Sequence, residues 1–282
     1  MSRVGTRASS RALEGAGRVV LIALLALWTA PARAQEPLSP QRQREILRDA
    51  LHAFDQAVAV ARENPAQAAQ RYRQAVAGFQ ALRDAGLRNS ALEYNLGNAY
   101  FRLGDLGQAI LHYCRATRLA PGDERLTANL RYARNRIEPF IAPSGQSRLA
   151  QQLLFWHYNT SVQQRFWALV VLAAIGWPLL LLWLRWRRRA LLVTGLIAVA
   201  LALVTAASVR WQLEDEARYP AAVVVTKEPL RLGRGEGSDL ALQQPLGPGV
   251  ECRILQQRGE WVEVRLRNDQ TGWLPESAVA RV

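Results

Sequence analysis

The side chains with the most chemistry to offer are few and scattered. Two cysteines, Cys114 and Cys252, and three histidines, His52, His112 and His157, are spread along the chain. Metal sites need ligands a few residues apart on one element, and no such spacing occurs. There is no Cys-x-x-Cys, no G-x-S-x-G, no H-E-x-x-H and no phosphate-loop motif. Arg231-Leu-Gly-Arg-Gly-Glu-Gly237 is glycine-rich but has no following helix whose N-terminus could hold a phosphate, so it reads as a mobile loop. The two cysteines fall in segments separated by long apolar stretches. Two lone buried thiols are therefore expected rather than a disulfide, even in an exported chain. No catalytic residue, metal or cofactor is predicted, and what remains for the polar residues is recognition and topology.

The elements that must position them begin with a pair of apolar spans. Phe166–Leu184 and Ala190–Val209 contain no charged residue and are joined by Arg185-Trp-Arg-Arg-Arg189. Each has about 20 residues, enough at ~1.5 Å per residue to cross a ~30 Å hydrocarbon core. So short a joint forces a hairpin, which puts the segments before and after it on one side of the bilayer. Arg185, Arg187, Arg188 and Arg189 then determine the topology, because positive tips stay in the cytoplasm. The expected location is the bacterial inner membrane, crossed twice, with both flanking domains in the periplasm. The N-terminus agrees. Arg3, Arg7, Arg11 and Arg18 precede the apolar run Val19–Trp28, and Ala32-Arg33-Ala34 fits a cleavage site, so residues 1–34 read as an export signal.

A net charge of +13 could suggest nucleic acid, but its distribution does not. Residues 1–34 carry +4, the hairpin tip carries four arginines, and residues 219–282 carry eight charges of each sign. No basic stripe interleaved with aromatics is left, so nucleic acid is not an expected partner.

Residues 38–136 are rich in Ala, Leu, Arg and Gln, with apolar residues at helical spacing. Within them, Leu96-Gly97, Tyr100, Ala109, Tyr113, Ala116 and Pro121 stand at the spacing of a tetratricopeptide repeat, and residues 90–121 resemble that family. Gly97 and Ala109 are small where two antiparallel helices approach, Gly104-Asp105 closes the first helix and Pro121 stops the second. Glu93 departs from the pattern, which places an aromatic there. Upstream, Ala68, Tyr72 and Ala75 repeat the later spacing in a degenerate first repeat. Downstream, Asp123 opens a capping helix. The resemblance implies a concave binding face formed by Tyr94, Asn98, Phe101 and Arg102 with Arg125, Asn129 and Tyr132. Asn and Arg suit an extended peptide or a carboxylate.

Residues 137–165 read as a linker in which Leu149, Leu153, Leu154 and Trp156 form an interfacial segment. Residues 219–282 change to strands, with β-branched Ala221–Thr226, alternating Val250–Leu255 and Trp261–Leu266, and a tight turn at Gly259-Glu260. Gly259-Glu-Trp261, Val262-x-Val264 and Gly272-Trp-Leu-Pro275 resemble a bacterial SH3-like domain. That likeness implies a small barrel with Val262, Val264, Leu266 and Leu274 inside and Trp261 on its surface.

The expected fold is thus multidomain: an α-helical tetratricopeptide solenoid at 38–136, transmembrane helices at 166–184 and 190–209 around a cytoplasmic tip at 185–189, and a C-terminal all-β SH3-like barrel at 219–282. This order, with Tyr94-Asn-Leu-Gly-Asn-Ala-Tyr100 and Phe155-Trp-His157, resembles the BatE-type proteins of bacterial aerotolerance operons. The resemblance implies a non-enzymatic scaffold whose partners are membrane-anchored von Willebrand factor A proteins and a MoxR-type ATPase, in an envelope-stress complex. Two weak modules on one anchor would raise each other's effective concentration. The alternative is a cell-wall tether or sensor that binds peptidoglycan through the SH3-like domain.

Overall fold

Side-chain caps cut the N-terminal half into short helices. The computed structural model describes residues 38–142, 144, 152, 154, 156, 157 and 160–282. The export signal expected at 1–34 lies outside them, as do Leu149, Leu153 and Phe155. Helix α1 spans Pro40–Val60, α2 Pro65–Asp84, α3 Ser90–Leu103, α4 Leu106–Leu119 and α5 Glu124–Arg134. The Asn64 side chain accepts from Gln67 N–H, Asn89 from Leu92 N–H, Asp105 from Gln108 N–H and Asp123 from Arg125 N–H. Each carboxamide or carboxylate satisfies a donor that the first helical turn leaves over. Gly104 ends α3 with φ 81°, a left-handed conformation that glycine adopts without strain.

Successive helices pack in antiparallel pairs through small residues. A Cβ on Gly78 would stand 2.8 Å from that of Ala50, and one on Gly97 would stand 2.6 Å from the Tyr113 ring. Phe79, Leu82, Leu96 and Ala99 are fully buried between them. Ala68, Tyr72 and Ala75 are buried as well.

Helices α6, Val162–Trp186, and α7, Arg189–Arg218, are long and apolar enough to cross a membrane. Ser161 and Gln164 form a reciprocal capping box that starts α6. The joint is tighter than the sequence implied, since only Arg187 and Arg188 lie outside the helices, with Arg187 at φ 54°. The two helices meet on a seam of small residues, where a Cβ on Gly176 would come within 2.9 Å of Val199 and one on Gly195 within 2.8 Å of Leu180. Ala198 and Ala202 continue the seam, while Leu181 and Leu203 are about two-thirds exposed on the outside. Helix α7 has 30 residues and runs on past Val209 as a charged stalk, Arg210–Arg218, of about 14 Å.

Strands β1 Ala221–Val224, β2 Glu251–Arg258, β3 Trp261–Leu266, β4 Thr271–Pro275 and β5 Val279–Arg281 form one antiparallel sheet in the order β4-β3-β2-β1-β5. Val262, Val264, Leu266 and Leu274 face its core as their alternation requires. The closed barrel expected for residues 219–282 is not formed. The sheet is open, because both edges are engaged elsewhere. Arg231 of the β1–β2 connection exchanges backbone hydrogen bonds with Trp273 of β4 (2.7 and 3.1 Å). On β5, Arg115 of α4 donates to the Arg281 carbonyl at 2.5 Å, and Arg118 donates to that of Val282 at 3.1 Å.

Two tethered modules were expected, but the helices and the sheet share a core. Ala109, Ile110, Tyr113 and Leu130 pack with Val223 of β1, and Val225 and Val282 join them. A Cβ on Gly107 would meet the Val225 carbonyl at 2.9 Å, and one on Gly249 would meet Ile110 at 2.7 Å. The stretch after α5, expected to be linker, is docked too, with Ile137 and Ile141 packed on the sheet core. Replacing Gly107 by Val should therefore lower the stability of the full-length protein by about 1–3 kcal/mol through overpacking. A thermal melt in detergent that is unchanged from the parent would contradict this close approach.

Candidate functional site

The face expected on α3 and α5 resolves into three parts. The first is a hydrogen-bonded cluster. Asn129 Nδ2 donates to Tyr94 OH at 3.0 Å and to Asn98 Oδ1 at 3.2 Å, and Tyr113 OH donates to the same Oδ1 at 2.7 Å. These bonds orient both amides. Asn98 spends its acceptor and keeps its NH2, which has no partner among the described residues. Asn129 spends its donors and keeps its carbonyl oxygen. Side by side on a half-buried surface, they offer one donor and one acceptor, the complement of a peptide unit. Burial pushes the Tyr113 phenol well above its ordinary range, so it stays a donor at any physiological pH.

The second part is aromatic and cationic. Phe101 and Tyr132 lie 5.6 Å apart, and Tyr132 is 53% exposed. Arg136 lies over both rings, at 5.3 and 4.9 Å, and donates to Tyr132 OH at 2.6 Å. Arg136 was not among the expected residues. Its position four residues beyond Tyr132, in the turn just past the end of α5, was the signal that could have found it.

The third part consists of the two arginines, and they part company. Arg102 is exposed on the same strip with no described partner, ready for a carboxylate. Arg125 instead turns back on Asp123, with Nε at 3.2 Å and Nη2 at 2.9 Å from the carboxylate. It reinforces its own helix cap and does not join the cluster. On the sheet, Trp261 is half-buried at the start of β3, opposite Arg258 and Pro275, and stacks on no described ring.

Behind this face lies an interaction that the sequence only hinted at. Glu93, the departure from the repeat pattern, is paired with His112 Nδ1 at 2.6 Å, and both are almost fully buried. The His112 ring stacks on Tyr100 at 5.4 Å and 6°. Burial alone would raise the Glu93 carboxyl, but the His112 hydrogen bond and the charges of Arg115 and Arg83 outweigh it and hold the group below its ordinary value. For His112, burial outweighs the pull of Glu93 and keeps the ring below its ordinary value. The pair is thus a carboxylate accepting from a neutral imidazole.

Both cysteines are free and buried. Burial pushes Cys252 up to about 12 and Cys114 higher still, so neither is a thiolate at neutral pH. Among the described residues no group of His, Cys, Asp or Glu could hold a metal ion.

No protein-family model matches the chain, and no curated protein matches it. What the geometry itself defines is a helical face with unspent hydrogen-bonding groups, packed on a sheet and joined to a hairpin long and apolar enough to cross a membrane.

Both members of the buried pair are depressed, so both bind fewer protons folded than unfolded. Their contribution is present above the unfolded values and lost as pH falls through the folded ones. Stability of the α3–α4 region should therefore decline below about pH 6.5 and continue to fall through the carboxylate range. Glu93→Ala should cost about 3 kcal/mol by stranding the imidazole. Amide hydrogen exchange of α3 and α4 at pH 7.5 and 5.5 reads both effects. Protection that is equal at the two pH values would contradict the assignment.

Proposed function

We propose that the chain is a non-enzymatic scaffold of the bacterial inner membrane, a BatE-type protein, that holds an extended segment of a membrane-anchored partner on its α3–α5 face. The observation that carries this reading is the Tyr94–Asn98–Asn129–Tyr113 network, which spends bonds internally to aim one free donor and one free acceptor outward. Beside it, Phe101, Tyr132 and Arg136 offer an exposed aromatic–cationic platform, and Arg102 offers an unpaired charge. An extended chain is recognised through its backbone amides and an anchoring side chain or carboxylate. The helices α1–α5 are read as a short tetratricopeptide domain with a degenerate first repeat and a capping helix, and residues 219–282 as an SH3-like unit opened at its edges. The shared core changes how the scaffold works. Its recognition face is held rigidly on the membrane anchor through the sheet, so two loosely linked weak sites are not needed. Partners of the von Willebrand factor A class and a MoxR-type ATPase follow from the family likeness. The wall-tether alternative would rest on Trp261, which shares its face of the sheet with Trp273 of β4 but stacks on no described ring.

Full-length protein should recover von Willebrand factor A membrane proteins in a mild-detergent pull-down. The Asn98→Ala/Asn129→Ala variant should recover about tenfold less, the loss expected for two hydrogen bonds to a peptide unit. Equal recovery by both proteins, or wall fragments alone, would overturn the scaffold. The orientation is tested separately. An Arg188→Cys variant should react with a membrane-impermeant maleimide only after the inner membrane is opened, against the silent background of buried Cys114 and Cys252.

A further inference from the structure

Arginines surround the junction of helices, stalk and sheet. Arg134 of α5 grips Glu251 of β2 with Nε at 2.6 Å and Nη2 at 2.7 Å. Arg118 of α4 reaches Glu216 of the stalk at 2.8 Å, and Arg253 of β2 pairs with Asp215. A cleft of about 650 Å³ opens among these elements, and Arg118, Arg134, Arg253, Arg265 and Arg267 all line it. The acids on its walls are Glu251 and Asp269. Arg265 lies over the Tyr219 ring at 5.2 Å and holds no described carboxylate, and neither does Arg267. After the three ion pairs are formed, the cleft keeps surplus cationic charge. Each paired guanidinium also keeps donors, because it has five N–H groups and spends only part of them.

A second cavity of about 720 Å³ shares Thr117 and Arg118 with the first. Its far wall belongs to the hairpin, where Phe166, Val209 and Leu213 line it, and Leu119 of α4 faces them. Phe166, Leu213 and Leu119 are each about half exposed, an apolar surface left without a protein cover. The two cavities run in sequence. The apolar one lies at the level where the uncharged span ends, at Val209. Glu216, which holds Arg118, is about 10 Å further along α7. A bilayer headgroup layer is roughly 5–7 Å deep on each side. The order from apolar wall to arginine cluster follows the direction of the polarity gradient at a membrane surface, with Glu216 about 3–5 Å beyond the headgroup layer.

We infer that this continuous crevice binds one anionic phospholipid, its phosphate-bearing headgroup among Arg118, Arg253, Arg265 and Arg267 and the top of its acyl chains along Phe166, Val209 and Leu213. The inference rests on the hairpin crossing a bilayer and is independent of the peptide face on α3 and α5. An acidic peptide would satisfy the arginines but leave the apolar wall uncovered, whereas an anionic lipid satisfies both. Guanidinium forks match phosphate oxygens in geometry as well as charge. The surplus rests on Arg265 and Arg267 against Asp269, because Asp215 and Glu216 offset the charges of Arg253 and Arg118. They hold Arg253 and Arg118 in place from the stalk side and leave the cleft side to the ligand.

The test uses full-length protein in mild detergent, with native mass spectrometry of lipid adducts. Dioleoylphosphatidylglycerol and dioleoylphosphatidylcholine share acyl chains and differ in headgroup charge. One phosphatidylglycerol should be retained under activation that strips phosphatidylcholine. Arg265→Gln/Arg267→Gln should weaken its apparent affinity roughly thirtyfold, and neither residue holds a carboxylate whose loss would disturb the fold. Phe166→Ser, which leaves the charge intact, should also weaken retention. Arg210→Gln removes an exposed stalk arginine that lies outside both cavities, and it should leave retention unchanged. Equal retention of the two lipids, an unaffected double variant, or loss with Arg210→Gln equal to that of the cleft variants would overturn the proposal. Glycerol phosphate or a Glu-rich peptide binding as tightly as the lipid would overturn the lipid assignment. Should the double variant fail to fold, exposed Arg267→Gln alone, with about a fivefold expected loss, decides the matter.

Discussion

Helix α4 is buried from Ala109 through Cys114 and again at Ala116, and the rest of the molecule is arranged around that burial. One flank meets α3, where Tyr113 lies over Gly97 and His112 is locked to Glu93. Another meets the sheet, where Gly107 lets the Val225 backbone approach and Ile110 fills the space against Gly249. Its C-terminal arginines reach the β5 carbonyls and the stalk of α7. A helix of 14 residues thus touches both neighbouring helices, the sheet and the hairpin. A helix apolar on one stripe needs one partner, whereas α4, with buried residues on more than one flank, needs several. Part of that cover comes from strands that follow the hairpin, so the N-terminal helices and the C-terminal sheet share one core.

This arrangement gives the anchor a mechanical role. The stalk Arg210–Arg218 is tied to helix α4 through Glu216 and to strand β2 through Asp215. At the base of the hairpin, Arg165 is buried with Ser208 at 2.6 Å and His157 at 2.8 Å, and it also bonds to Gln212. Gln212 donates in turn to Glu216 at 2.8 Å. A continuous polar chain therefore runs from between the two long helices, through Gln212 and Glu216, to Arg118 of α4.

Local features were legible in the sequence and long-range ones were not. Gly104-Asp105 and Asp123 announced helix ends because capping is decided within four residues. Val262, Val264 and Leu274 announced the buried face of the sheet because alternation fixes it. The apolar spans were equally plain. The pairing of Glu93 with His112 was visible only as a broken pattern, since either residue alone looks like an exception. Arg134 and Glu251 lie 117 positions apart, and no periodicity connects them. The seam of Gly176, Gly195, Ala198 and Ala202 was hidden because a uniformly apolar span gives no contrast by which to read a face. The sheet was expected to close because its strands match a barrel pattern, but closure depends on whether the edges are free, and α4 takes one of them. On the α3–α5 face, the side chains were legible while their contacts were not: Arg125 turns to its own cap, and Arg136 lies over Phe101 and Tyr132.

The engaged edges of the sheet carry a further consequence. An open sheet ordinarily presents two rows of unpaired amides that invite strands from other chains. Here Arg115 and Arg118 occupy carbonyls along β5, and Arg231 is stitched to β4. Exposed edges of that kind would favour fibre-like stacking between copies of the chain. Blocking both edges removes that route, so copies that meet at high density remain individually dispersed.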